Sequence, residues 1–184
     1  GIFIDMGDSG GFDCGPECDP FAQDCPDGEK CTARVCEPGS NAWDYNSCVP
    51  VEGEGQPGDS CQQVGDGGYH EDDCAKGAMC WDFDEEGNGV CIALCVGNPE
   101  DASCEDNETA CEIANGGVLP ICLPTCDPLL QDCEGNDVCI ASLSEDAFIC
   151  VLNSSEDMAP YGTPCEFANA CNKGLYCIGT EYVG

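Results

Sequence analysis

Apolar residues in this chain come in short bursts, interrupted by glycine, proline or aspartate before a helical face can build up. No burst approaches the ~20 residues of a transmembrane helix. The recurring element is instead a short hairpin. Residues 112–121 (EIANGGVLPI) place an Asn115-Gly116 turn signal between two runs that carry apolar side chains. Residues 81–90 (WDFDEEGNGV) and 140–149 (IASLSEDAFI) fit the same plan. Each of these ten-residue stretches is bracketed by two cysteines, and the brackets reveal a repeat.

The unit reads cysteine, 5–12 residues, cysteine, 5–6 residues, cysteine, 10–16 residues, cysteine. Its complete copies are Cys18, Cys25, Cys31, Cys48; Cys61, Cys74, Cys80, Cys91; Cys95, Cys104, Cys111, Cys122; and Cys126, Cys133, Cys139, Cys150. A fifth copy has Cys165, Cys171 and Cys177 without a fourth cysteine. A larger duplication overlies the units. CDPFAQDC at 18–25 recurs as CDPLLQDC at 126–133, and CAKGAMC at 74–80 recurs as CNKGLYC at 171–177. The predicted organisation is a flexible Gly/Asp leader over 1–13, a first module over 14–50 and a linker over 51–60. Modules over 61–94, 95–122 and 123–150 follow, then a linker over 151–164 and an incomplete fifth module over 165–184. Modules of about 30 residues cannot bury a core unaided. The fold class is therefore small and disulfide-rich: a tandem array of short β-hairpin modules, mostly irregular, with almost no helix.

Cysteine usage sets the compartment. The chain holds 21 cysteines in 184 residues, above the ~8–10% that marks a disulfide scaffold. Zinc ribbons, redox sites and haem attachment use C-x-x-C pairs, and the sequence has none. Bridges of this density belong to an oxidising compartment, extracellular or at a cell surface. Four cysteines allow three connectivities. The order familiar from EGF-like hairpins joins first to third and second to fourth. It gives Cys18–Cys31, Cys25–Cys48, Cys61–Cys80, Cys74–Cys91, Cys95–Cys111, Cys104–Cys122, Cys126–Cys139, Cys133–Cys150 and Cys165–Cys177. The two cysteines outside the units, Cys14 and Cys36, are expected to pair with each other. Cys171 is left without a partner, so a longer polypeptide or a Cys171-linked dimer is expected. The start at Gly1, without an initiating Met, reads as a processed one.

Charge removes several functions. Lys30, Arg34, Lys76 and Lys173 face 37 acids, for a net charge of −33. Phosphate binding needs lysine and arginine, which excludes nucleic acid, and an anionic membrane surface repels such a chain. Self-repulsion also opposes compaction, which makes the fold depend on its cross-links.

The motifs CDPFAQDCPDGEKC (18–31), CAKGAMCWDFD (74–84), NGGVLPICLPTCDPLLQDC (115–133) and GTPCEFANACNKGLYC (162–177) resemble a family of cysteine-rich exported proteins of gliding soil bacteria. The resemblance implies a secreted protein or lipoprotein with a low-complexity leader, and no established activity. A sugar-phosphate epimerase label carried by some relatives implies a βα barrel with His and Asp ligands. This sequence has no βα alternation, so that label does not transfer.

Candidate chemistry is sparse. Asp82, Asp84 and Glu86, with Gly87, imitate the start of a calcium loop, but Ala93 stands where the bidentate Glu belongs. The plain alternative is a solvated acidic turn. A second acidic cluster spans Asp66 to Asp73 around His70, the one conventional base near neutral pH. His70 has no nucleophile-elbow sequence beside it, so no enzyme is expected. Trp43 and Trp81 are either partner anchors or covers for small module cores. Asn107-Glu108-Thr109 and Asn153-Ser154-Ser155 are glycosylation sequons. The expected function is a non-catalytic structural or interaction protein, an acidic spacer or surface component. Its partner would be a protein or envelope component, with self-association as another route, and its cofactor none or Ca²⁺. The alternatives are a secreted effector or enzyme inhibitor, which needs an exposed loop held by disulfides, or a calcium-binding surface module.

Overall fold

The computed structural model describes residues 14–36, 43–64, 71–155 and 159–178. The expected leader, His70 and the Asp66 end of its acidic cluster lie outside the described residues. Among the described residues twelve short strands carry the fold, joined by turns and one 3-10 turn over Asn115–Gly117. The described residues include no α-helix. Hairpins of a disulfide-rich array are what the cysteine-bracketed stretches form.

In the first module β1 (Glu29–Arg34) pairs with β2 (Tyr45–Pro50). In the second, β3 (Ser60–Val64), β4 (Glu71–Asp72), β5 (Ala78–Trp81) and β6 (Asn88–Ala93) make one sheet in the order β4-β3-β6-β5. The third holds a small hairpin, β7 (Val96–Asn98) with β8 (Asp101–Ser103), and a longer one, β9 (Thr109–Ala114) with β10 (Leu119–Pro124). The fourth pairs β11 (Val138–Ala141) with β12 (Phe148–Val151). All these pairings are antiparallel. The β9–β10 turn needs left-handed backbone at Asn115 (φ 50°) and Gly116 (φ 68°), which asparagine and glycine tolerate best.

Register sets which way the third and fourth cysteines of each unit face. Cys31 lies opposite Cys48, Cys80 opposite Cys91, Cys111 opposite Cys122, and Cys139 opposite Cys150. Residues directly opposite share a face of the hairpin. Both sulfurs of each pair therefore point the same way, toward the loop that carries the unit's first and second cysteines. Each complete unit closes first to third and second to fourth. Cys14–Cys36 and Cys165–Cys177 complete the ten bridges, and Cys171 is a buried free thiol. Cystine itself is the core of the second module, where Cys61, Cys74, Cys80 and Cys91 pack with Ala78.

Two features depart from the picture of separate beads. Residues 51–60, read from the sequence as a linker, are bound into the second module. Gly55 N–H donates to Asp73 O, Ala75 N–H to Gly55 O, and Gly58 N–H to Cys91 O, at 3.1, 2.8 and 2.9 Å. A Cβ on Gly53 would lie 2.1 Å from Asp73 O, so glycine is what lets the segment lie against the sheet. The described parts of the second expected linker, 151–155 and 159–164, are likewise tied to the fifth module, with Ser154 N–H on Asn169 O and Asn172 N–H on Ala159 O. The second feature is the core. Ala33, Met79, Leu94, Ala110, Leu119, Ile121, Leu123 and Ile149 form a single buried cluster drawn from the first four modules. The bridge Leu94↔Ile121 stitches second to third, and Thr125 N–H, which donates to Glu108 O at 2.9 Å, ties fourth to third. Units too small to bury a core alone have pooled one.

Candidate functional site

The chain's four cations all reach across junctions between modules, Lys30 and Arg34 from buried positions and Lys76 and Lys173 from exposed ones. Lys30 is completely buried on β1, and its ammonium has three N–H donors. All three find acceptors in the second module: Asp72 Oδ1 at 2.5 Å, Cys74 O at 2.7 Å and Ala78 O at 3.3 Å. Asp72, also buried, further accepts from Cys74 N–H at 2.8 Å and Cys80 N–H at 3.2 Å. Arg34 reaches Glu71 of the same neighbour at 4.0 Å. In return Lys76 donates to Cys25 O of the first module at 3.4 Å. Lys173 of the fifth module donates to Cys133 O and Gly135 O of the fourth, both at 2.9 Å.

The duplication makes this pattern informative. Cys25 and Cys133 are matching positions in CDPFAQDC and CDPLLQDC, and Lys76 and Lys173 match in CAKGAMC and CNKGLYC. The lysine-to-carbonyl clasp therefore occurs at the same place in both halves. The Lys30–Asp72 pair does not. Val138 stands where Lys30 would be, and Asn169 where Asp72 would be.

The tryptophans also meet at the first junction. Trp43 stacks on Trp81 with ring centroids 5.4 Å apart and planes inclined by 25°. Phe83 approaches Trp43 edge-on at 6.4 Å, and the Asn115 amide donates to Trp43 O at 3.3 Å. Both indoles are half-buried and pack against the shared core. Their faces are thus directed at each other and at neighbouring modules.

The acidic loop behaves as a turn. Asp84 Oδ1 accepts the backbone N–H groups of Glu86 and Asn88, at 2.9 and 3.0 Å, and the Asn88 amide reaches both carboxylate oxygens. These bonds, led by the Asn88 N–H, hold the Asp84 carboxyl below its ordinary value of 3.8. Asp82, Asp84 and Glu86 do not gather three carboxylate oxygens at one point. Among the described residues, the groups with three candidate ligand atoms within 4.8 Å are all cysteine triplets. Four of those triplets consist wholly of bridged sulfurs, which are not thiolate ligands. The fifth places the Cys171 thiol beside the Cys165–Cys177 bridge. Of the sequons, Asn107 is exposed, whereas the Asn153 side chain is half-buried and accepts from Ser155 N–H and Oγ.

Asp137 shows the opposite shift. Burial pushes its carboxyl up first, the negative charges of Asp82 and Glu134 add to that, and Lys173 pulls it back. An acid whose folded value is raised favours folding only while protonated, so its contribution is lost as pH rises through that value. Asp137→Asn is therefore expected to raise the melting temperature at pH 7 and to leave it unchanged well below 3.8. Paired thermal melts at the two pH values check this, and an equal effect at both would refute it.

A cleft of about 550 Å³ opens where the first three modules meet, lined by Phe21, Lys76, Val90, Leu94, Glu105 and Cys122 among others. No family model matches the chain, and no curated protein or solved structure does either. The likeness to exported cysteine-rich proteins of gliding soil bacteria accordingly rests on the sequence motifs alone.

Proposed function

We propose that the chain is a non-catalytic extracellular or cell-surface component, an acidic disulfide-stapled scaffold that works by presenting surfaces to other proteins. One observation carries this reading: each of the four cations is engaged between modules of its own chain. A protein with a net charge of −33 has few groups that attract an anionic substrate, and here those groups fasten modules together. The rest of the design is consistent with the same role. Ten bridges fit an oxidising compartment outside the cytosol. The pooled core and interlocked junctions favour fixed geometry. Among the described residues ten large apolar side chains are exposed, Leu129, Leu143 and Tyr161 at 92, 90 and 93%.

Carboxylate-directed cross-linking on intact producing cells tests the proposal. The expected result is recovery of the chain in stoichiometric complexes with surface or secreted polypeptides. Recovery solely as a free chain that turns over an extracellular substrate would overturn it.

A further inference from the structure

Asparagine followed by glycine can modify its own backbone, because a glycine nitrogen has no neighbouring side chain to shield it from the asparagine amide. The sequence holds two such steps, Asn88-Gly89 and Asn115-Gly116, each in a cysteine-bracketed hairpin. Asn88 is held from several directions. Its N–H donates to Asp84 Oδ1 at 3.0 Å, and its carbonyl accepts from Asp84 N–H at 2.9 Å. Its side-chain amide donates to both Asp84 carboxylate oxygens at 3.3 Å and accepts from the Gln62 amide at 3.4 Å. Asn88 and Gly89 also lie in the β3–β6 ladder, opposite Gln62 and Cys61. Gly89 is closely covered: a Cβ there would sit 2.4 Å from Trp81 O and 3.2 Å from Phe83 Cα.

Asn115 is placed in the opposite way. It stands at the tip of the β9–β10 turn, beyond the last ladder pair of Ala114 with Leu119, and both Asn115 and Gly116 are exposed. Apart from its chain neighbours, no atom lies within 4 Å of the place a Gly116 Cβ would take. Among the described residues one bond holds the Asn115 side chain, from its amide to Trp43 O at 3.3 Å. That acceptor is neutral, whereas Asn88 is held by a carboxylate, and hydrogen bonds to a charged group are roughly twice as strong. Ring closure at Asn88 must break more, and stronger, bonds.

We infer that Asn115 is a self-modification site, at which the folded chain converts its own asparagine to aspartate and isoaspartate while Asn88 is spared. Gly116 N attacks Asn115 Cγ and closes a five-membered succinimide. The Cγ–Nδ2 bond breaks, and the proton released by Gly116 N leaves with the amide as ammonia. Water then opens the ring at one of its two carbonyl carbons. Cleavage between Cγ and Gly116 N restores the ordinary backbone with an aspartate. Cleavage between the main-chain carbonyl carbon and Gly116 N leaves the chain running through the side chain, as isoaspartate. Neither product can donate to Trp43 O. The reaction therefore unties the β9–β10 turn from the first module and sets a carboxylate beside that carbonyl.

The test follows both steps in the same molecules. Chain with ten bridges by mass is incubated at mildly alkaline pH, where the attacking nitrogen loses its proton more readily, and peptide mapping reads aspartate and isoaspartate at each position. Asn115 is expected to convert at least about tenfold faster than Asn88, a barrier difference of about 1.4 kcal/mol. In reduced and alkylated chain the two rates should come within about threefold of each other, because the surroundings that separate them are gone. Asn115→Gln keeps an amide donor but would need a larger ring, and is expected to stop the change at that position. Equal rates in the oxidised chain, or faster conversion at Asn88, overturn the inference. So does an Asn115 that stays intact while the reduced chain converts. Conversion to aspartate without isoaspartate means direct hydrolysis and overturns it as well. A preference for Asn115 that persists undiminished after reduction assigns the selectivity to the neighbouring sequence, against the fold-based inference.

Discussion

Reduction of the ten disulfides is expected to abolish the near-UV circular dichroism of the chain at neutral pH. The magnitudes decide this. Each bridge closes a short loop, from 12 residues for Cys165–Cys177 to 23 for Cys25–Cys48. Loops of that size are worth about 3 kcal/mol each on a chain-entropy account. Even a fraction of that sum exceeds the roughly 5–15 kcal/mol by which ordinary domains are stable. Opposing them, a net charge of −33 disfavours any compact state, and the pooled apolar cluster holds eight buried side chains among the described residues. Several of the remaining buried groups are the cystines themselves, so reduction also removes core. High salt should slow the loss by screening repulsion without preventing it. A reduced chain that keeps its near-UV signal and its resistance to protease would refute the dependence.

The β9–β10 hairpin was legible because an Asn-Gly signal between two cysteine-bracketed runs needs no tertiary information, whereas in the β5–β6 hairpin the bend falls at 85–87 and Asn88 and Gly89 belong to the strand. The pairing order was less so: opposed third and fourth cysteines face one side but could each take either of the other two, and the order was expected from its likeness to EGF-like hairpins. What could not be read was everything that depends on packing between units. Residues 51–60 look like linker because Gly53 and Gly55 serve close approach to Asp73 and Cys91 rather than freedom. The β7–β8 hairpin has no apolar alternation to announce it. Trp43 and Trp81 could not be assigned to each other from composition. The Lys30–Asp72 pair left one usable trace, and it lay in the duplication. Between the two halves, a lysine changes to valine and an aspartate to asparagine, at positions that turn out to touch. The acidic loop was ambiguous in sequence for a physical reason: a carboxylate that caps its own turn and one that binds calcium occupy the same kind of position.

Cutting the Lys30–Asp72 pair on one side is expected to be among the most damaging single changes that leave every disulfide intact. Lys30→Met removes the ammonium and leaves Asp72 buried with two backbone N–H donors and no counter-charge. Asp72→Asn leaves the ammonium buried against two carbonyls. Removing one member of a buried pair costs about 3–5 kcal/mol, because the survivor is desolvated without compensation. Removing both is a different matter. The fourth and fifth modules meet through the same lysine-to-cysteine-carbonyl clasp, yet carry Val138 and Asn169 at these places. Val138 is buried, and the Asn169 amide is satisfied by Leu152 O at 2.7 Å. The fold thus already contains a neutral version of this junction. The double variant Lys30→Met, Asp72→Asn is therefore expected to recover most of either single loss, ending within about 2 kcal/mol of wild type. Urea midpoints measured with the bridges oxidised supply the cycle. If the two single losses simply add to within about 0.5 kcal/mol, the buried charges are not coupled, and the cations do not hold the modules in the manner argued here.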